Sequence, residues 1–252
     1  MIRVSRLIRK LENFAPLSEE EKSALMDAST TIRRYGAHED MIQEGAPTDG
    51  VKIILDGMAC RYKVLPDGRR QIVAYFIPGD MCDLRLFLLK RMDHSIGTLC
   101  TVEAALLPQE SVQELTERYP RLTRALWWST LVEEAISREW LVNVGHRTAF
   151  ERMAHLFCEI FLRLQSVGLT HENRCELPLT QTELADTLAL SAVHVNRTLM
   201  DMRRAHLVTF QGRQLIIHDR HALQSVAGFH PNYLHLDGEA NRVPTVLKRN
   251  SA

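Results

Sequence analysis

The spacing of hydrophobic residues changes along this chain and separates a strand-rich region from a helical one. Between Ile32 and Pro108, short apolar runs alternate with turn signals such as Asp56-Gly57 and Pro66-Asp67-Gly68. Apolar runs bounded at regular intervals by glycine and proline are typical of antiparallel strands. We therefore predict an antiparallel barrel or sandwich here, with strand candidates at residues 51–55, 58–64 and 71–77.

Helical spacing dominates after Pro120. Apolar residues at intervals of three and four predict one long helix ending near Val144, and a second amphipathic helix from about Thr148 to Val167. A stripe with heptad-like spacing can pack along the same stripe of a second chain. The residues that we assign to this dimer interface are Leu122, Leu126, Ser129, Ile136 and Trp140.

Capping boxes mark two helix starts, because a Ser or Thr side chain and a Glu three residues later satisfy each other's backbone amides. The box from Ser18 to Glu21 predicts a short helix over residues 19–28. The box from Thr180 to Glu183 predicts a helix that ends near Leu188.

The segment from Thr180 to His218 predicts a winged helix-turn-helix. After its first helix, Ser191 can cap a second helix from Ala192 to about Ala205, and the apolar positions of both helices fit a steep crossing. Two apolar runs joined by a loop containing Gly212 follow, and they predict a β-hairpin, the wing. In this arrangement the second helix enters the major groove of DNA.

Polar side chains on the outer face of the second helix suit contact with DNA. Arg197 can donate a bidentate pair to guanine, and Asn196 can bond to adenine or to a phosphate. Other residues around the helices and the wing are candidates for phosphate contacts, which position a protein without specifying sequence. The predicted DNA-binding residues are Thr180, Gln181, Ser191, Val193, His194, Asn196, Arg197, Arg203, Arg204 and Arg213.

A helical packing domain without DNA contact is the alternative for the helix pair alone, since short capped pairs are common. The chain's formal net charge of zero also counts against a DNA-binding protein, which usually carries a basic surface. The charge of the predicted motif differs from that of the whole chain. Residues 191–221 contain five Arg and two acidic residues, together with four His. Together with the wing, this local excess of Arg favours DNA binding.

The 252 residues allow two modest domains, and 45% hydrophobic with 25% charged residues is typical of a globular protein. No apolar run reaches about 18 residues and the basic N-terminus lacks an apolar core, so we expect neither a membrane span nor a signal peptide. The five cysteines form no CxxC pair, which favours reduced thiols in the cytoplasm. Among them, Cys175 is expected to be the most exposed.

The stretch LPLTQTELADTLALSAVHVNRTLMDMRRAHLV (177–208) resembles the DNA-binding domain of the Crp/Fnr regulator family. YGAHEDMIQEGAPTDGVKIILDGMACRY (35–62), followed by IVAYFIPGDM (72–81), resembles its cyclic-nucleotide-binding-type β-roll. The resemblance implies an α+β protein: an antiparallel, jelly-roll-like β-roll, a long dimerisation helix and a C-terminal winged helix-turn-helix. It also implies a homodimer on a palindromic operator, with RNA polymerase as a partner. The corresponding regions are 1–118, 119–146 and 147–229, followed by a mobile tail at 230–252.

The resemblance also raises the question of whether the β-roll binds a small molecule that regulates the protein. In cyclic-AMP-responsive members a Gly-Glu pair binds the ribose and an Arg-Ser or Arg-Thr pair holds the phosphate. Ungapped matching places Asp83 and Leu84 at the first pair and Met92 and Asp93 at the second, so no cyclic nucleotide is expected. A small-molecule effector stays open, and its candidate pocket residues are Asp83, Arg85 and His94.

No cofactor is predicted. Residues 1–59 contain no cysteine, which excludes the N-terminal iron–sulfur centre of oxygen-sensing members. Haem with His94 as its axial ligand, and a sensing module that acts through a protein partner rather than DNA, remain as alternatives. The sequence shows no nucleophile motif, phosphate-binding loop or dinucleotide-binding glycines, so we predict no enzyme activity.

The second helix of the predicted motif departs from the best-known family members. Those members present Arg and Glu where this chain has Ala192 and Val193, whereas Arg197 remains at the family's later base-contacting position. Base recognition is therefore expected to differ, with Val193 placed to touch a thymine methyl group.

Overall fold

The computed structural model describes residues 4–29, 31–47, 49–84 and 91–236. The helices are α1 (Ser5–Leu11), α2 (Glu19–Ala28), α3 (Gln109–Arg118), α4 (Pro120–His146), α5 (Ala149–Ser166), α6 (Gln181–Leu188), α7 (Ala192–Arg204) and α8 (Arg220–Ala227). The strands are β1 (Thr31–Tyr35), β2 (Asp40–Ile42), β3 (Gly50–Asp56), β4 (Ala59–Val64), β5 (Arg70–Phe76), β6 (Met81–Cys82), β7 (Ser95–Thr98), β8 (Val102–Pro108), β9 (Thr170–His171), β10 (Arg174–Glu176), β11 (Val208–Gln211) and β12 (Gln214–Ile217). A 3-10 turn, Pro231–Leu234, follows α8.

The predicted β-roll is present as two four-stranded antiparallel sheets. Their strand orders are β1-β8-β3-β6 and β2-β7-β4-β5. The turn after β3 requires glycine, because Gly57 has φ +81° and an added Cβ would lie 2.3 Å from the carbonyl oxygen of Thr101. The antiparallel β-roll, long helix and winged helical unit confirm the α+β class.

The long helix α4 carries apolar residues on two opposite sides. Leu122, Leu126 and Trp140 are buried inside the protomer, and Ile136 and Ser129 are half-buried. Leu122, Leu126 and Trp140 therefore pack inside the protomer and do not fit a dimer interface, whereas the assignment of Ser129 and Ile136 stays a prediction. The opposite side exposes Trp127, Leu131 and Leu141, with exposed fractions of 67%, 60% and 74%.

The short helices α1, α3 and α8 were not predicted from the sequence. The first, α1, has seven residues and buries Leu7, Ile8 and Leu11 against the β-roll. The second, α3, connects the last strand of the β-roll to α4. No helix in the described parts of the chain is long and apolar enough to cross a bilayer.

The prediction of a mobile tail from residue 230 is wrong for its first part. Phe229, Tyr233 and Leu234 are buried, and the ring of Phe229 lies 4.9 Å from that of His155 on α5. Residues 237–252 lie outside the described residues. Cys175, expected to be the most exposed thiol, is also buried, whereas Cys100 is half-buried.

A buried carboxylate joins α4, α5 and the C-terminal turn. Glu159 on α5 accepts hydrogen bonds from Nε1 of Trp140 at 3.1 Å, the hydroxyl of Tyr233 at 3.0 Å and Nη1 of Arg163 at 3.3 Å. Arg163 also reaches Asp80 at 3.0 Å, and Lys10 of α1 pairs with that same aspartate at 2.5 Å. Burial raises the pKa of Glu159, while its cationic neighbour and its three donors oppose that shift. This network ties the helical unit to the β-roll.

Stability is expected to fall with acidification because of His155. Burial, assisted by the positive charge of Arg147, lowers the pKa of His155 to about 3. Unfolded histidine titrates near 6.5, so below that pH the unfolded chain binds a proton that the folded chain does not. Between pH 7 and pH 5 this difference removes up to about 2 kcal/mol of unfolding free energy.

Urea unfolding at the two pH values measures this loss. His155→Gln should reduce the pH dependence, although it is destabilising at pH 7. A pH dependence that is the same in the wild type and His155→Gln would contradict the assignment.

Candidate nucleic-acid interface

The first helix of the predicted motif begins where its capping box requires. The hydroxyl of Thr180 accepts from the backbone amide of Glu183 at 3.2 Å, and the Glu183 carboxylate accepts from the Thr180 amide at 2.6 Å. The helix ends at Leu188, and the residue that follows it, Ala189, has φ +53° in the left-handed region. That conformation costs a non-glycine residue about 1 kcal/mol, but it turns the chain sharply into the next helix.

The second helix, α7, starts at a separate cap. The hydroxyl of Ser191 accepts from the backbone amide of His194 at 3.2 Å. Leu184 and Leu188 of α6 and Val195 and Met202 of α7 are buried, so the two helices pack through the apolar positions assigned from the sequence. This packing fixes which side of α7 faces outward.

The outward side of α7 carries one continuous strip of side chains. Val193, Asn196, Arg197 and Met200 are exposed, and their spacing of three and four residues places them on one helix face. His194 is half-buried beside them. The side chain of Arg197 is therefore exposed on this face, and its contact with guanine stays a prediction.

The wing forms as an antiparallel hairpin of β11 and β12. Gln211 pairs with Gln214, and the two residues between them, Gly212 and Arg213, have φ values of +60° and +62°. Two positive φ angles identify the tight turn that matches the twist of paired strands. The carbonyl of Arg213 accepts from the Leu177 amide at 2.8 Å, while its side chain is exposed at the tip.

Some candidate DNA contacts already have partners inside the protein. The hydroxyls of Thr180 and Ser191 serve as helix caps, and Arg204 pairs with Asp201 at 3.2 Å. Gln181 and Arg203 are exposed. The predicted residues thus come together on one side of the unit, but they differ in how freely their side chains can reach a ligand.

Contacts between α6 and β5 were missed by the sequence analysis. Arg70 pairs with Asp186 at 2.8 Å, Gln71 donates to the carbonyl of Thr187 at 3.2 Å, and the hydroxyls of Tyr75 and Thr187 share a hydrogen bond. These contacts dock the helix-turn-helix on the β-roll of the same chain. They lie on α6 and leave the outward strip of α7 uncovered.

The candidate effector residues are bonded to other side chains. Asp83 is buried, with Arg61 at 2.5 Å and Nε2 of His94 at 2.6 Å from its carboxylate. Nδ1 of His94 lies 2.6 Å from Asp93, so carboxylates occupy both ring nitrogens. Arg85, the third candidate, lies outside the described residues.

The positions matched to a cyclic-nucleotide site do not fit that ligand. Leu84 and Met92 are buried apolar side chains, and Asp93 places an exposed negative charge where a phosphate partner is needed. The nearby cation Arg61 is already held by Asp83. Over the described residues, no three potential metal ligands come together.

Two family models match the chain. Residues 32–119 match the cyclic nucleotide-binding domain, and residues 151–226 match the Crp-like helix-turn-helix domain. The first segment covers the β-roll and the second covers α5 to α8, so the matches fall on the two units that α4 connects.

Several characterised proteins are similar over most of the chain. The transcriptional activator protein FnrL of Cereibacter sphaeroides is 28% identical over 206 residues, 79% of this chain and 81% of FnrL. The nitrogen fixation regulation protein FixK of Bradyrhizobium diazoefficiens is 29% identical over 173 residues, 68% of this chain and 70% of FixK. The solved structure of FixK2 from Bradyrhizobium japonicum has a TM-score of 0.72 at 25% identity, covering 79% of this chain and 98% of FixK2.

Proposed function

This chain belongs to the Crp/Fnr family of DNA-binding transcription regulators, and we propose that it binds a palindromic operator as a homodimer. Proteins of this family are regulators rather than enzymes. The observation that supports the proposal most directly is the exposed strip of α7, with Arg197 at its centre, held by a capped neighbouring helix and a wing.

We assign the dimer contact to the exposed side of α4. Trp127, Leu131 and Leu141 lie on this side together with the ion pair of Glu134 and Arg138, whose atoms are 3.4 Å apart. Their spacing of four and three residues repeats every seven, which is the pattern of helices that pack lengthwise. The 27-residue helix is about 40 Å long and offers room for several turns of contact.

Two-fold symmetry would then present two α7 helices to DNA. Their separation must be about 34 Å for both to reach successive major grooves on one side of the duplex. Arg197 donates to guanine in each half-site, and Gln181, Arg203 and Arg213 contact phosphates. Thr180 and Ser191 contribute mainly by fixing the helix ends, and Arg204 contributes only if it leaves Asp201.

We further propose that DNA binding needs no cyclic nucleotide, because the matched pocket positions hold apolar or negatively charged residues. RNA polymerase is the proposed protein partner at the promoter.

Selection of bound sequences from a random DNA pool, at stated salt and without added nucleotide, tests this function. The expected product is an inverted repeat whose half-sites lie one helical turn apart. Enrichment of a single half-site would contradict the dimer, and the absence of any enrichment would contradict sequence-specific binding.

The wing is expected to contact phosphate through Arg213. Arg213→Ala should weaken binding to all DNA sequences alike and lower the slope of log K against log salt by about one per half-site, because one fewer counterion is released. Salt titrations of the wild type and variant measure the slope. His171→Ala, at an exposed position outside the wing, is the control, and an unchanged slope in Arg213→Ala would remove the wing from the interface.

A further inference from the structure

Val193 is the most exposed large apolar side chain in the described parts of the chain. Its exposed fraction is 81%, compared with 49% for Met200 on the same helix and 40% for Val226 on α8. A single exposed valine is ordinary on a protein surface, so exposure alone says nothing about function. Its position on α7 makes it informative.

The fold gives no reason for a valine at this position. The side chain is 81% exposed and so lies outside the core, and a β-branched residue is a weaker helix former than alanine. The neighbouring cap at Ser191 uses its own hydroxyl and the His194 amide, so it does not need Val193. Neither packing nor helix propensity nor capping explains the residue.

Val193 lies in the first turn of α7, on the side that carries Asn196 and Arg197. A spacing of three and four residues places all three side chains on one face. The N-terminal residues of such a helix are the ones that contact base edges in the major groove. Val193 therefore belongs to the surface that meets the bases, although it can neither donate nor accept a hydrogen bond.

We propose that Val193 recognises the C5-methyl group of a thymine within about two base pairs of the guanine bound by Arg197. This inference rests on the proposed function and deepens it by naming a feature of the operator. The thymine methyl is the apolar group that base pairs present in the major groove. Four residues of helix rise about 6 Å, and base pairs are stacked 3.4 Å apart, which sets the distance between the two contacts.

A methyl group at the same place on cytosine would make the same contact. The site therefore distinguishes a pyrimidine that carries a 5-methyl group from one that does not. Thymine should be preferred over deoxyuridine, and 5-methylcytosine over cytosine, at one position in each half-site.

The test replaces thymines of the selected operator, one at a time, by deoxyuridine, which lacks only the methyl group. One position per half-site should lose about three- to fivefold in affinity, the expected effect of one methyl contact. Val193→Ala should bind the thymine and deoxyuridine versions of that position equally well. Cytosine placed there should bind more tightly when it is 5-methylated, in the wild type alone.

Two matched variants test whether the effect belongs to this side chain. Val64→Ala removes an exposed valine from β4, and Val226→Ala removes an exposed valine from α8. Both should keep the full preference for thymine over deoxyuridine. Circular dichroism and thermal melting should show Val193→Ala folded, since Val193 is not part of the core.

Two results would overturn the inference. One is wild-type protein that tolerates deoxyuridine at every thymine of the operator. The other is a methyl preference that survives in Val193→Ala or disappears in Val226→Ala. Failure of the proposed function looks different, because the wild type would then select no inverted repeat and there would be no operator to substitute.

Discussion

Replacing Arg197 with alanine is expected to weaken binding to the selected operator by about 1–3 kcal/mol, or roughly 5- to 150-fold. The guanidinium is exposed on α7 and can donate two parallel hydrogen bonds to guanine O6 and N7. Its loss should relax selection at one base pair of each half-site. Binding to random DNA should change little, because that binding depends on phosphates.

Two further variants separate base recognition from simple charge. Arg197→Lys keeps the positive charge but not the planar pair of donors, so it should bind random DNA normally and the operator poorly. Arg203→Ala, at an exposed position near the end of α7, should lower affinity for both kinds of DNA by the same factor. An equal loss on operator and random DNA for Arg197→Ala would mean that Arg197 touches only phosphate.

Replacing Leu131 with glutamate is expected to convert the protein to a monomer and to reduce operator affinity at least 100-fold. In a two-fold dimer the substitution enters the interface twice, close to the symmetry-related helix and to Glu134. Burying these added charges without partners is unfavourable. Separated subunits then lose the gain in affinity from binding two linked half-sites, which is of order 10²–10⁴.

Sedimentation equilibrium measures the state of association, and gel-shift titration measures operator affinity. Val226→Glu is the matched control, because Val226 is an exposed valine on α8 rather than on α4, and this variant should remain dimeric. If Leu131→Glu is still a dimer with normal operator affinity, the exposed side of α4 is not the interface.

Local patterns predicted the DNA-binding unit well. The capping boxes at Thr180 and Ser18 and the cap at Ser191 are present, because each cap depends on residues that are three apart in sequence. The turn between the wing strands depends in the same way on adjacent residues. Such features need no knowledge of the rest of the fold.

One sequence could not show which side of α4 faces a second subunit. The helix has two apolar sides, and the stripe from Leu122 to Trp140 has as good a spacing as the side with Leu131. Which of them covers the protein's own core depends on where the β-roll and α5 lie. Periodicity reports that a side is apolar, but it does not report what covers it.

Contacts between segments that are distant in sequence could not be predicted from local sequence patterns either. Arg70 and Asp186 are 116 residues apart, and the two charged partners of Asp83, Arg61 and His94, are 22 and 11 residues away from it in sequence. The first helix was missed because seven residues give too short a pattern to establish a period.

The hydrogen bonds to Glu159 have a practical consequence for engineering hybrid regulators by domain exchange. A hybrid joined after His146 and stopped at Gly228 would keep Glu159 but lose both Trp140 and Tyr233, two of its donors. The carboxylate would then be left beside Arg163 without the rest of its hydrogen bonds. A hybrid that contains this DNA-binding domain should therefore also include Trp140 and Tyr233, or have an apolar residue in place of Glu159.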